Sequence, residues 1–280
     1  MPEPLNVRVG VGWNPFDRAN IGGPLFWQTV ELLERDGWDS LWLSDIATGP
    51  GVAPLPMLAA VAARTERLKL GTSVLNVPPR NALLLAKELA TLDVISGGRF
   101  FPAFGIGQAD PVELAALGLE RDERGARLEE CLRVIRELWR GDPVTFHGRF
   151  TSLDGVTLSP RPTRQAIEPW LGGSTRAAVR RVGRVADGWL TARVTPAEFA
   201  ELLGVLRESA AAAGRKVPED HFGTVLFADD VAETRELLHA FREAGATKFV
   251  LYPRVDDPRP LLDELKPVVD ELESQPVYRS

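Results

Sequence analysis

The feature that most constrains this chain is an alternation. A short β-like apolar run is followed by a longer run with helical spacing, and the pair recurs along almost the whole sequence. Val7–Val11 reads as a strand, and Leu25–Arg35 as a helix stopped by Gly37. Ser40–Ser44 and Leu68–Leu75 read as strands around a helix at Pro56–Thr65. Asn81 caps a helix that ends at Gly97-Gly98, and Phe100–Phe104 is the fourth strand. A longer segment follows, with helices predicted at Asp110–Ala116 and Asp122–Trp139 and a small hairpin over residues 143–153 around His147-Gly148. The proline-rich stretch Pro160–Pro169 reads as a surface connection. Strands at Trp170-Leu171, Gly188–Thr191, Phe222–Phe227 and Phe249–Tyr252 then alternate with helices at Ser174–Val185, Pro196–Ala213, Val231–Ala244 and Pro260–Leu272.

About eight strand–helix units are the count of a closed (β/α)8 TIM barrel. The expectation is therefore one α/β domain spanning residues 1–280, with the hairpin as an insertion. An open doubly wound sheet is the alternative, because periodicity alone does not show closure.

A barrel places function at the carboxyl ends of its strands. Three of those ends are informative. Gly172-Gly173-Ser174-Thr175 follows a strand and opens a helix, so free N–H groups, the helix dipole and two hydroxyls suit a phosphate; the same residues fit an ordinary capped turn. Gly105-Ile106-Gly107-Gln108 lets a flat ligand or its tail approach the backbone, and a plain loop reads equally well. Gly71–Asn76 ends in small and polar residues that suit a cofactor ring or simply a strand end.

Other chemistries find little support. The three histidines, His147, His221 and His239, have no metal-ligand spacing, so no metal site is expected. The Gly-x-Ser-x-Gly nucleophile elbow and the Gly-x4-Gly-Lys-Ser/Thr phosphate loop are absent. Acidic residues sit mostly on helices, as at Glu129-Glu130, where a solvated face is the default. With few acid–base groups at the strand ends, a bound cofactor is expected to carry the chemistry. Net charge is −6 and no run of five basic residues occurs, so neither nucleic acid nor an anionic membrane is expected as a partner. The lone Cys131, the short polar stretch Met1–Asn6 and the lack of an apolar span are read as a cytoplasmic protein.

Several ordered motifs carry a resemblance. They are Leu68–Asn76, Leu85–Arg99 (Leu-Ala-Lys-Glu-Leu-Ala-Thr-Leu-Asp-Val-Ile-Ser-Gly-Gly-Arg), Gly105-Ile-Gly107, Arg124–Glu130, the hairpin Pro143–Phe150, Trp170–Ser174 and Arg184–Trp189. Together they resemble the luciferase-like monooxygenase superfamily, whose members are (β/α)8 barrels that bind FMN or coenzyme F420. The coenzyme F420 branch fits better. Thr72–Leu75 is similar to its third-strand segment, which carries a non-proline cis peptide behind the deazaflavin ring, and Ser44-Asp45 resembles its Ser-Asp-His.

The resemblance implies Asp45, Ser73, Val74, Asn76, Gly105, Ile106, Gly107, Gly172, Gly173, Ser174 and Thr175 as cofactor-binding residues. It also marks two departures: Ile46 and Gln108 stand where sugar-phosphate dehydrogenases of the branch have His and Glu. Alcohol oxidation needs a base for the hydroxyl proton, so a reductase is expected instead. The substrate is expected over one ring face, near Trp13, Asn76 and Gln108. Trp13 would offer a flat wall, although a core or rim tryptophan reads nearly as well. The alternatives are an FMN-dependent monooxygenase supplied by a partner reductase, and a cofactor-binding barrel without turnover. The family further implies a homodimer, with apolar surface at Leu83, Leu84 and Leu85.

Overall fold

In a computed structural model of the protein, the described residues are 5–13, 22–49, 51–163 and 167–275. Parts of the readings at Met1–Asn6 and Pro160–Pro169 lie outside them.

The barrel strands are β1 (Arg8–Gly12), β2 (Ser40–Leu43), β3 (Lys69–Asn76), β4 (Phe100–Gly105), β7 (Trp170–Gly172), β8 (Gly188–Ala192), β9 (Phe222–Ala228) and β10 (Lys248–Pro253). Each pairs in parallel with its neighbour. β10 pairs back onto β1 through Val9 opposite Phe249 and Val11 opposite Leu251, which closes the barrel. That closure excludes the open doubly wound sheet. Two short strands stand apart, β5 (Val144–His147) and β6 (Ser152–Val156), paired antiparallel as the expected hairpin.

The helices are α1 (Pro24–Arg35), α2 (Pro54–Ala62), α3 (Ala82–Ser96), α4 (Pro111–Ala116), α5 (Arg124–Arg140), α6 (Arg176–Val185), α7 (Pro196–Ala212), α8 (Val231–Glu243) and α9 (Pro258–Ser274). Their boundaries follow local chemistry. The Asn81 side chain accepts from the Leu83 and Leu84 amides, and left-handed Gly97 ends α3 at φ 63°. Thr195 and Glu198 form a reciprocal capping box on α7. On α3, Leu85 is buried while Leu84 is 61% exposed, so only part of that leucine run faces the barrel.

Two cores result. The larger lies between strands and helices. The smaller fills the barrel interior with Trp42, Ala103, Trp170, Leu190, Val250 and Tyr252. Glycine makes room for the indoles: a Cβ on Gly71 would lie 2.3 Å from the Trp42 ring, and one on Gly188 2.3 Å from Trp170. This filled interior separates a cleft at the carboxyl mouth from a smaller cavity of about 190 Å³ at the amino end.

The acidic pair on α5 departs from its expected solvated face. Glu130 is buried and accepts from the Arg149, Phe150 and Thr151 amides at 2.8, 2.8 and 2.7 Å, which pins the hairpin turn to the barrel wall. Glu129 binds Arg181 and Arg184 at 2.9 and 2.8 Å. A helical face beside an insertion is not a free face, and periodicity does not register the insertion. His221 sits before β9 at the amino end of the barrel, where its ring accompanies Trp170 at 5.3 Å.

Candidate active site

A cleft of about 430 Å³ opens at the carboxyl ends of the strands. Its lining includes Ser44, Asp45 and Ile46 after β2, Ser73, Val74 and Asn76 on β3, and Gly105–Gln108 after β4. Gly172, Gly173 and Ser174 contribute from β7, Leu190–Arg193 from β8, and Val225, Phe227 and Tyr252 from β9 and β10.

The end of β3 shapes the floor. The Ser73–Val74 peptide is cis, as the resemblance implied, and the pairing with β4 shifts register between Ser73 and Leu75. Val74 stands between two glycines. A Cβ on Gly105 would lie 2.3 Å from its Cγ2, and one on Gly172 2.6 Å from its Cγ1. These glycines are therefore a cradle for Val74.

A polar brace holds this segment from both sides. The Asp45 carboxylate accepts from the Asn76 amide at 3.0 Å and from Arg80 Nη2 at 2.7 Å, while Arg80 Nε donates to the Asn76 carbonyl at 2.9 Å. The Ser44 hydroxyl donates to the Ser73 carbonyl at 3.1 Å and lies 3.0 Å from the Tyr252 hydroxyl, which also hydrogen-bonds the Ser73 hydroxyl. Burial raises the pKa of Tyr252, with the two serine hydrogen bonds opposing it, so the phenol is neutral at ordinary pH. Asn76 Oδ1 is buried with no partner among the described residues. Such an atom is costly unless something fills the cleft and donates to it.

Eleven of the residues predicted from sequence come together here, from Asp45 to Ser174, with Gln108 among them. Two do not line the cleft. Trp13 is 6% exposed and packs edge-on against Phe26 at 5.1 Å, in a separate crevice beside Pro253 and Val255. Its amide donates to the Trp42 carbonyl at 3.0 Å, and its ring belongs to the core between strands and helices, so Trp13 is a core residue and not part of the cleft wall. Thr175 spends its hydroxyl on capping α6, accepting from the Ala178 amide at 3.2 Å. Sequence reading passed over Tyr252, Phe227, Val225 and Arg193. The alternation Val250–Tyr252 against Phe249–Leu251 was the available signal, since it points Tyr252 into the barrel.

A closed parallel barrel with a cleft at its carboxyl mouth defines the class, a (β/α)8 barrel. The family follows from comparison with known proteins. The model of the luciferase-like monooxygenases matches residues 26–269. The chain belongs to this family of oxidoreductases.

Curated relatives include the F420-dependent glucose-6-phosphate dehydrogenase of Nakamurella multipartita, 38% identical over 198 residues, covering 66% of this chain and 58% of the relative. The protein of the same name from Microbacterium testaceum is 38% identical over 196 residues, with 66% and 57% covered. The match thus spans under two thirds of those relatives' length. Among solved structures, an F420-dependent secondary alcohol dehydrogenase in complex with an F420–acetone adduct aligns with TM-score 0.82 at 17% identity, covering 96% of this chain and 99% of that one. A monooxygenase from Streptomyces bottropensis aligns with TM-score 0.77 at 22% identity, covering 95% and 98%. The oxygenating constituent of 3,6-diketocamphane monooxygenase from Pseudomonas putida, in complex with FMN, aligns with TM-score 0.80 at 16% identity, covering 98% and 100%. These structural likenesses show the fold.

Among the described residues, no helix is long and apolar enough to cross a membrane.

Proposed function

We propose that the protein is a coenzyme F420-dependent oxidoreductase that moves a hydride between the deazaflavin and a small organic substrate, acting as a reductase and not as an alcohol dehydrogenase. One observation carries this reading. The described cleft lining contains no histidine and no glutamate, and its carboxylate, Asp45, is committed to Arg80 and the Asn76 amide. A site with such an acid–base inventory needs a cofactor for its redox chemistry and, among the described residues, lacks a free base for an alcohol proton.

The residues fit the cofactor. The cleft is large enough for a flat ring, Val74 stands in a glycine cradle as a backstop, and the orphan Asn76 Oδ1 awaits a donor. Gly172, Gly173 and Ser174 would hold the phosphate, beside the start of α6. When bound, the deazaflavin supplies the carbon that gives or takes the hydride. Asn76 and Gln108 would orient a substrate carbonyl by donating hydrogen bonds, since neither is a base at neutral pH. Support for F420 over FMN comes from the curated relatives named as F420-dependent and from the motif Ser44-Asp45 with Ser73-Val74.

Fluorescence titration of the purified protein with F420 and with FMN tests this. Binding of F420 in the micromolar range or tighter, with FMN weaker, is expected. Preference for FMN selects the monooxygenase reading with a partner reductase, and binding of neither overturns both. A homodimer is proposed through the α3 face, where Leu84, Val94 and Ile95 are 61%, 44% and 49% exposed. A monomer by light scattering at micromolar concentration would count against it.

A further inference from the structure

Arg124, at the start of α5, is buried, 6% exposed, on the outer side of the loop that follows β4. Its Nη1 donates toward three consecutive carbonyls, Ile106, Gly107 and Gln108, at 3.3, 3.0 and 2.8 Å. Nε donates to the Arg121 carbonyl at 3.2 Å. Three successive carbonyls converging on one nitrogen is not how a strand or a helix presents its backbone. Gly107 makes it possible by adopting φ +73°.

The convergence fixes the amides as well. The peptides that follow these carbonyls are trans, because the cis bonds of the described chain lie at Ser73–Val74 and Ser159–Pro160. In a trans peptide the N–H points opposite to the C=O. The N–H groups of Gly107, Gln108 and Ala109 therefore point away from Arg124. Of these residues Gly107 and Gln108 line the cleft, and Gly107 faces Asn76 so closely that a Cβ would sit 2.6 Å from its side-chain Nδ2. None of these three N–H groups has an acceptor among the described residues. Unpaired backbone donors gathered at one concave surface form an anion-seeking nest.

We infer that Arg124 is a positioning residue that holds the Ile106–Gln108 loop as an array of backbone donors, and that this array receives an electron-rich oxygen of the ligand in the cleft. The inference rests on the reading of the cleft as a cofactor site. The oxygen has two possible sources, a carbonyl of the cofactor ring or its phosphate. Both are acceptors, and both gain from donors fixed before binding.

The test uses the full-length protein with Arg124→Met and Arg124→Lys, their folding checked by circular dichroism and thermal melting. Affinity is measured for F420, for FMN and for the deazaflavin riboside that lacks phosphate and tail. Arg124→Met is expected to weaken F420 binding by about tenfold or more, since losing an ordered set of donors removes more than one hydrogen bond. Arg124→Lys, which keeps a cation but not the fork, is expected to recover part of the loss. An equal loss for the phosphate-free riboside assigns the oxygen to the ring, and a loss confined to the phosphate-bearing ligands assigns it to the phosphate. The absorption maximum of bound F420 should shift in Arg124→Met if the ring is met, a change that lower stability alone does not cause. If folded Arg124→Met binds all three ligands with native affinity, the inference is wrong. If the native protein binds none of them, the cofactor reading itself fails, and the two failures are distinct.

Discussion

The hydroxyl of Tyr252 on the last strand is hydrogen-bonded to the hydroxyl of Ser73 on the third, across the barrel interior. Ser44 joins both, through the Tyr252 hydroxyl and the Ser73 carbonyl. Tyr252 thereby anchors the segment that carries Val74 into the cleft. Tyr252→Phe keeps the ring and the Ser44 bond to the Ser73 carbonyl but removes the hydroxyl that both serines meet. One net hydrogen bond is worth about 1 kcal/mol, roughly fivefold in an equilibrium constant. The variant should lower the unfolding free energy by about that amount and weaken F420 binding by a similar factor, read by denaturant melts and fluorescence titration. Unchanged affinity would show that the brace does not shape the cofactor floor.

Ser174 lines the cleft where β7 gives way to α6. Ser174→Asp places a carboxylate against the proposed phosphate path. At the intermediate dielectric of such a site, two like charges about 4 Å apart repel by a few kcal/mol, so affinity for F420 should fall by at least about tenfold. The loss should be smaller for the phosphate-free riboside. A folded Ser174→Asp protein with native affinity would remove the phosphate assignment.

The sequence carried the barrel well, because buried parallel strands and amphipathic helices write strong and different periods. It carried the cleft where close packing requires small residues, as at Gly105 and Gly172 against Val74, Gly107 against Asn76 and Gly173 against Ala178. It failed where one residue type has two structural uses. Trp13 follows a strand as a cleft residue would, yet packs edge-on against Phe26. Within the block Leu85–Arg99, Asp93 and Arg99 prove architectural. Asp93 is buried and accepts from the Thr163 amide at 2.7 Å, and Arg99 donates to the carbonyls of Ala62, Thr65, Leu68 and Ser96. Arg124 had no legible role, since its partners are backbone carbonyls and a sequence does not show where those point.

Ile46 and Gln108 face the same cleft. Neither side chain can take a proton from an alcohol at neutral pH. Gln108→Ala removes one neutral donor, so turnover with an enone or imine should fall by less than about tenfold, with cofactor affinity nearly intact. Gln108→Glu combined with Ile46→His introduces two acid–base groups and should bring measurable alcohol-dependent reduction of F420. Stopped-flow reduction and oxidation of bound F420 with enones, imines and alcohols separates these outcomes. Rapid reduction by alcohols in the native protein would mean that another group supplies the base.

The opposite end of the barrel holds a buried charge cluster whose role is stability. Asp39 bonds Lys69 Nζ at 2.7 Å and pairs with Lys248, with both Asp39 and Lys248 little exposed. Burial alone would raise the Asp39 pKa, but the cations of Lys248 and Lys69 outweigh it and hold the carboxyl well below the usual range. Burial also lowers the pKa of Lys248, and Asp39 partly restores it. The stability that Asp39 contributes is fully present above its unfolded pKa of about 4 and is lost as pH falls through its lower folded value. Asp39→Asn strands the Lys248 ammonium without its partner. Removing one member of a buried pair typically costs about 3–5 kcal/mol, so the variant should melt well below the native protein near pH 7. Its melting temperature should also depend less on pH between about 4 and 2, because the group whose protonation drives that part of acid unfolding is gone. Denaturant melts of both proteins across that range decide the point. Equal stability at neutral pH, or an unchanged acid slope, would show that the cluster contributes nothing net to the fold.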